Sequence, residues 1–114
     1  MDIRERNHGP VQVLDLSGRL VFGDGDSQLR KAVKNLLSLG HRQILVNLAE
    51  ISYVDSCGVG ELVSAYTSVV RQGGQIKFVS PTPRVRELLA ISKLLTVLDV
   101  CDSEADALES FRPG

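Results

Sequence analysis

Residues 43–79 carry the pattern that decides the fold: QILVNLAEISYVDSCGVGELVSAYTSVVRQGGQIKFV. Residues 43–48 are mostly apolar at both odd and even positions, which is typical of a strand covered on two faces. A helix is then predicted from apolar residues at helical spacing, namely Val59, Leu62, Val63, Tyr66 and Val70. Gly73-Gly74 ends that helix, and residues 75–79 form a second strand. This order predicts two parallel strands joined by a crossover helix.

The segments before residue 43 predict a hairpin and a first helix. A turn at 7–10 separates a short first strand from residues 11–16, which alternate as a half-buried strand does. Residues 18–25 are expected to form a loop with a short extended piece at 20–22. The helix that follows is marked by Leu29, Ala32, Val33, Leu36 and Leu37. Asp24 or Asp26 can cap it, and Gly40 fits its end.

The later segments repeat the alternation of strand and helix. Residues 49–54 are interpreted as a connection into the 55–60 segment. Thr82-Pro83 has the cap residue and first-turn proline of a helix start. Residues 96–100 are predicted to be the last strand, and Ser103 or Asp102 to cap a closing helix. Residues 1–114 therefore predict one α/β domain with a mixed, mostly parallel sheet, an N-terminal hairpin and about four helices.

Composition excludes several classes of partner. The chain has 114 residues, 43% of them apolar, and a formal net charge of -1, so no basic excess indicates nucleic acid or an anionic membrane. Its start is charged and lacks an apolar leader core, and no apolar run approaches the ~20 residues that span a bilayer. Cys57 and Cys101 are interpreted as reduced thiols. We therefore expect a cytoplasmic protein.

The segment Asp55-Ser56-Cys57-Gly58-Val59-Gly60 combines helix-capping residues with glycines. Asp and Ser are good caps, whereas glycine in a first helical turn forms helix poorly and leaves backbone N–H groups uncovered. A partner surface or a phosphate could approach such a helix end closely. A phosphoryl group on Ser56 would add about -1.5 to -2 charge.

A purely structural interpretation of the same segment stays open. Asp55 and Ser56 can cap and the glycines can pack, and spacing alone favours this. The charged residues Arg84, Arg86 and Glu87 are interpreted as a solvated helix face, and Tyr53 as a packing residue.

Residues 55–60 resemble the signature of the STAS domain family, in its anti-sigma-factor-antagonist branch. That signature is Asp-Ser-Ser-Gly-[Leu/Ile/Val]-Gly. The resemblance extends over nearly the whole chain and includes residues 16–20, Gly73-Gly74 and residues 96–98.

The resemblance implies a partner-switching cycle. The unphosphorylated antagonist binds an anti-sigma factor, which is also an ATP-dependent serine kinase, and so frees a sigma factor. The kinase phosphorylates the first serine of the signature, here Ser56, and a serine phosphatase reverses the reaction. By the same resemblance the partner contacts Asp55, Ser56, Cys57, Gly58, Val59 and Gly60. The chain itself supplies no catalysis and needs no cofactor.

Two features depart from the family pattern. Cys57 stands where the signature has its second serine, which keeps the size but loses a good hydrogen-bond donor. The loop at 21–26 is longer and richer in glycine than in many relatives, and its acids, Asp24 among them, are expected to flank the same binding face.

Other functions compete with this one. Cys57 near a helix start could act as a thiol-based sensor or enzyme, and the domain could serve as a STAS subunit of a larger signalling or transport assembly. A hydrolase elbow is disfavoured because Val54 occupies its first glycine position. The loop Gly23-Asp24-Gly25-Asp26 lacks the P-loop lysine, and no cluster of residues has metal-ligand spacing.

Overall fold

A computed structural model describes residues 1–21 and 28–112, which contain a five-stranded sheet in the order β1-β2-β3-β4-β5. The strands are β1 (Asp2–His8), β2 (Val11–Leu20), β3 (Gln43–Val54), β4 (Gln75–Val79) and β5 (Val100–Cys101). β1 pairs antiparallel with β2, and each later pair is parallel. The predicted mixed sheet with an N-terminal hairpin is therefore confirmed.

Helices cover both faces of this sheet unequally. The described residues form α1 (Gln28–Ser38), α2 (Ser56–Arg71), α3 (Pro83–Ile91) and α4 (Glu104–Ser110), so the predicted four helices are present. α1, α2 and α3 pack on one face around a large core that includes Leu14, Val46 and Phe78. α4 covers part of the other face through Ala107, which packs with Val13 and other strand residues. Each fully buried leucine or phenylalanine contributes about 1.5–3 kcal/mol to this packing.

Local sequence explains where the later helices begin. Thr82 accepts a hydrogen bond from the Val85 N–H at 3.4 Å, and Pro83 is the first residue of α3, as predicted. Ser103 caps α4 by accepting the Asp106 N–H at 3.1 Å, which decides between the two predicted caps. The suggested α1 caps Asp24 and Asp26 lie outside the described residues.

The boundaries predicted for β2 and β3 were wrong. β2 continues through Gly18 to Leu20, and the supposed connection at 49–54 is the second half of the twelve-residue β3. Register shifts between Asp15 and Ser17 and between Gly18 and Arg19 break the period of two. The first half of β3 is mostly buried, whereas burial in the second half follows neither a continuous nor an alternating pattern. The strand signal therefore fades after the first half.

The prediction of a last strand at 96–100 was also wrong. Residues 95–99 form turns, closed in part by a 2.9 Å hydrogen bond from the Leu98 N–H to the Leu94 carbonyl. The strand is only Val100–Cys101, paired with Phe78 and Val79. β5 therefore begins only at Val100, because residues 95–99 are held in turns and Asp99 has a positive φ of 55°.

The buried face of α2 differs slightly from the predicted one. Leu62 is fully buried as expected, but Val70 is 47% exposed. Ala65 and Val69 complete the buried face, with Val59, Val63 and Tyr66 partly buried against it. The helical period was predicted correctly, but the buried face of α2 lies one residue earlier in the chain than predicted.

Candidate functional site

The 55–60 segment lies where β3 ends and α2 begins, at the carboxyl edge of the parallel strands. α2 starts at Ser56, directly after the Asp55 cap. The Asp55 N–H donates to the Leu20 carbonyl at 3.2 Å, which ties the loop to the end of β2. Loops at this edge of an open α/β sheet are the usual place for binding sites.

Asp55 has the capping role that its residue type predicts. Its backbone is extended (φ -98°, ψ -176°), and its Oδ1 accepts the Gly58 N–H at 2.8 Å. The Asp55 carbonyl accepts the Val59 N–H at 2.9 Å. Ser56 is therefore not the cap but the first helical residue, so its hydroxyl is left out of the capping arrangement.

Ser56 and Cys57 are both exposed. Ser56 lines a shallow depression of about 420 Å³ between the start of α2 and the end of α3. The other lining residues are Tyr53, Val54, Asp55, Val59, Leu88 and Ser92. The hydroxyl of Ser56 thus borders a mixed apolar and polar hollow that opens to solvent.

Gly58 and Gly60 meet different surroundings. A Cβ on Gly58 would lie 2.0 Å from the Leu20 carbonyl oxygen and 2.8 Å from Val54 Cγ1, so the fold needs glycine there. A Cβ on Gly60 would meet nothing within 4 Å. Packing therefore explains Gly58, while Gly60 leaves bare, exposed backbone that the fold does not require.

The electrostatics of the loop favour an anion. α2 has sixteen residues and no acidic side chain in its first turn, so its N-terminal partial positive charge is offset in part by the Asp55 cap and can still attract a further anion. Arg84, at the start of α3, lies over the Tyr53 ring with its Cζ 5.8 Å from the ring centroid. Glu61, one turn into α2, is paired with Arg30 of α1 at 3.0 Å.

The groups with shifted pKa values belong to other parts of the molecule. On the α4 side of the sheet, hydrogen bonds from Arg6 lower the pKa of Asp15 and of Glu104. Burial raises the pKa of the Cys101 thiol. Residues 1–21 and 28–112 contain no group of three His, Cys, Asp or Glu side chains that could hold a metal ion.

A family model described as the STAS domain matches residues 2–107. The chain belongs to the STAS domain family. The resemblance of residues 55–60 to the STAS signature is thereby confirmed for the chain as a whole. Among the helices of residues 1–21 and 28–112, none combines the length and the apolar character that a membrane span requires.

Two relatives place this STAS domain beside anti-sigma factor antagonists. The anti-sigma F factor antagonist of Paenibacillus polymyxa is 25% identical over 108 residues, 95% of this chain and 92% of that one. The TM1081 homologue of Thermotoga neapolitana is 34% identical over 76 residues, 67% of each chain. The branch indicated by the signature is therefore confirmed by relatives of that name.

Solved structures confirm the fold. The crystal structure of TM1081 from Thermotoga maritima superposes with a TM-score of 0.88 over 97% of this chain and 95% of that one, at 22% identity. The phosphorylated form of the Bacillus cell fate determinant SpoIIAA has a TM-score of 0.72, with 95% and 97% coverage and 22% identity. At these identities the likeness concerns the arrangement of strands and helices alone.

Sequence reasoning found the STAS signature but missed its surroundings. Tyr53 was interpreted as a packing residue, yet it is 42% exposed and lines the Ser56 depression. Arg84 is exposed, as the prediction of a solvated face requires, but its guanidinium also lies over the Tyr53 ring, which that prediction did not include. The four-residue spacing of Arg84, Leu88 and Ser92 was the available signal, because it places all three on one face of α3. Asp24, predicted to flank the binding face, lies outside the described residues.

Proposed function

We propose that this STAS domain is an anti-sigma factor antagonist controlled by phosphorylation of Ser56. In the unmodified state it binds an anti-sigma factor that is also a serine kinase, and in the phosphorylated state it releases that partner. The observation that carries the proposal is that Ser56 is exposed at the first position of a sixteen-residue helix. Asp55 caps that helix, so the Ser56 hydroxyl is not needed as a cap. The family and the names of the relatives support the same role.

Charge explains how one modification would release a partner without unfolding the domain. A phosphoryl group adds about -1.5 to -2 charge, which the N-terminus of α2 tolerates because no acidic residue stands in its first turn. A docked protein would have to desolvate that charge at the interface, which costs several kcal/mol. The switch therefore acts on binding and leaves folding largely unchanged.

The chemistry requires little of this chain. The Ser56 oxygen attacks the γ-phosphorus of ATP held by the kinase, ADP leaves, and the serine proton passes to a base of the kinase. This STAS domain presents the nucleophile and supplies no catalytic group or cofactor of its own. A serine phosphatase returns Ser56 to the hydroxyl form, and the cycle operates in the cytoplasm without direct contact to nucleic acid.

Incubation with the cognate anti-sigma kinase and ATP tests the assignment. We expect one phosphoryl group per chain by intact-mass spectrometry and none in Ser56→Ala. Ser92→Ala is the matched control, because Ser92 lines the same depression from α3 and should leave labelling unchanged. Labelling that persists in Ser56→Ala would refute the site.

A thiol function for Cys57 is the alternative from a different class. Cys57 is exposed at the second position of α2, so reagents can reach it. The rate of alkylation against pH discriminates, because a reactive thiolate titrates well below the free-cysteine value of ~8.5. Membership of a larger signalling or transport assembly stays a separate prediction, which co-purification of the native protein would address.

A further inference from the structure

Arg84 stands beside the depression that Ser56 lines. Its guanidinium packs on the ring of Tyr53, which is itself a lining residue. Arg84, Leu88 and Ser92 lie four residues apart on one face of α3, and the last two line the depression together with Ser56. The Arg84 cation therefore lies next to one lining residue of the hollow that Ser56 also lines.

The charge of Arg84 is uncommitted within the described residues. Two residues further along α3, Arg86 pairs with Asp102 at 2.6 Å, and on α1 Arg30 pairs with Glu61 at 3.0 Å. No carboxylate in residues 1–21 or 28–112 lies within ion-pair distance of Arg84, whose polar neighbour is the Tyr53 ring alone. Its guanidinium can therefore take a new anionic partner without breaking an existing ion pair.

We propose that Arg84 is the counter-ion of phosphorylated Ser56. When Ser56 is modified, the Arg84 guanidinium moves away from the Tyr53 ring and binds the phosphate. The inference rests on the proposed function only in taking Ser56 as the modified residue. An exposed cation–π contact is weak, whereas charge-assisted, forked hydrogen bonds from arginine to phosphate are among the stronger polar contacts. The exchange of partners is therefore favourable.

This exchange changes the partner-facing surface in two ways at once. The phosphate adds negative charge at the start of α2. The Arg84 guanidinium moves towards the phosphate, which removes positive charge from the start of α3 and leaves the Tyr53 ring exposed. A partner that had docked against the unmodified arrangement of Arg84 and Tyr53 would thus lose that contact in addition to meeting the new charge.

Phosphoserine installed at position 56 of the full chain by genetic code expansion tests the proposal without any kinase. The second pKa of the phosphate is followed by ³¹P NMR in the parent, Arg84→Gln, Arg84→Lys and Lys93→Gln. We expect Arg84→Gln to raise that pKa by about half a unit, as fits an exposed ion pair, and Arg84→Lys to restore most of the parent value. Lys93 is the control cation, because it is exposed directly after Ser92 and should leave the pKa unchanged.

Equal phosphate pKa values in the parent and in Arg84→Gln would overturn the proposal, and so would a larger shift in Lys93→Gln. The Arg84 Nε signal gives a second reading, since it should move on phosphorylation of the parent. Asp55 and Glu87 are present in the parent and in every variant, so the comparison varies one cation at a time. Failure here would leave Ser56 as a possible kinase substrate, whereas absent labelling by the kinase would refute the proposed function and leave this result standing.

Discussion

At the scale of single residues, two glycines of one signature have separate physical reasons. Gly58 faces the Leu20 carbonyl, which also accepts the Asp55 N–H and so cannot easily move away. Gly60 points into open space. The first is explained by the fold, and the second is left for a partner that approaches the backbone closely.

Gly58→Ala and Gly60→Ala should therefore behave in opposite ways. We expect Gly58→Ala to lower the free energy of unfolding by about 1–3 kcal/mol or more, because its methyl group overlaps backbone. Gly60→Ala should keep or raise stability by up to about 1 kcal/mol, since alanine favours helix. Urea unfolding measures both, and a stability loss in Gly60→Ala larger than that in Gly58→Ala would contradict this account.

Binding completes the contrast between the glycines. If Gly60 serves the partner, Gly60→Ala should weaken affinity for the anti-sigma kinase while the domain stays folded. Unchanged affinity in titration calorimetry would return Gly60 to a neutral surface position.

At the scale of elements, α2 is built to accept an anion at its start. Asp55 satisfies the Gly58 N–H, and Arg71 stands in the last turn, where a cation is favourable. Within α2 the first acidic residue is Glu61, whose charge is matched by Arg30 of α1. A new charge at Ser56 therefore meets the helix dipole, with the Asp55 cap as the neighbouring like charge.

Ser56→Asp should for this reason leave folding intact and impair binding. An acidic residue in the first turn stabilises a helix by about 0.3–1 kcal/mol, so the thermal transition should be unchanged or slightly higher. Affinity for the anti-sigma kinase should fall at least tenfold. Ser56→Asn is the neutral control of equal size, and equal affinities of the two variants would exclude a mechanism based on charge.

At the scale of the whole molecule, one arginine joins β1, β2 and α4. Arg6 Nε donates to Asp15 Oδ2 at 2.6 Å, and Arg6 Nη2 donates to Glu104 Oε1 at 2.5 Å. Asn47 Nδ2 on β3 also donates to Asp15 Oδ1, at 2.8 Å. α4 is short and buries few side chains, so this network helps to hold it against the sheet. The part of the sheet face that the network occupies is mostly polar.

The network predicts that acid destabilises the protein. Hydrogen bonds from Arg6 hold the pKa of Asp15 below its ordinary 3.8 and that of Glu104 below its ordinary 4.5. A lowered folded-state pKa stabilises the native state above the unfolded-state pKa, and that stabilisation is lost as the pH falls through the folded-state pKa. The free energy of unfolding should thus decline as the pH drops from about 5 through 4 and below.

Arg6→Gln isolates this contribution, because it removes the cause of both pKa shifts. Its stability should depend less on pH between about 6 and 3 than that of the parent. Arg19→Gln, an exposed change on β2, should keep the parent's dependence. Parallel pH profiles for the parent and Arg6→Gln, measured by chemical unfolding, would contradict the assignment.

Local residue patterns were enough to establish the architecture and the signature. Local rules were enough for the α2 and α3 starts at Asp55 and Thr82-Pro83, since capping depends on neighbours within one helical turn. The alternation of strand and helix was enough for the parallel sheet behind the hairpin, because short connections leave few topologies.

The ends of the strands and the surroundings of Ser56 follow instead from long-range contacts. The extent of β3 depends on its pairing with the bulged end of β2, and β5 is confined to Val100–Cys101 because residues 95–99 fold into turns before it. Tyr53, Ser56 and Ser92 meet in one depression although 36 residues separate Ser56 from Ser92 in the chain, about the length of one βα repeat. Contacts of that range follow from packing, which no local pattern of residues encodes.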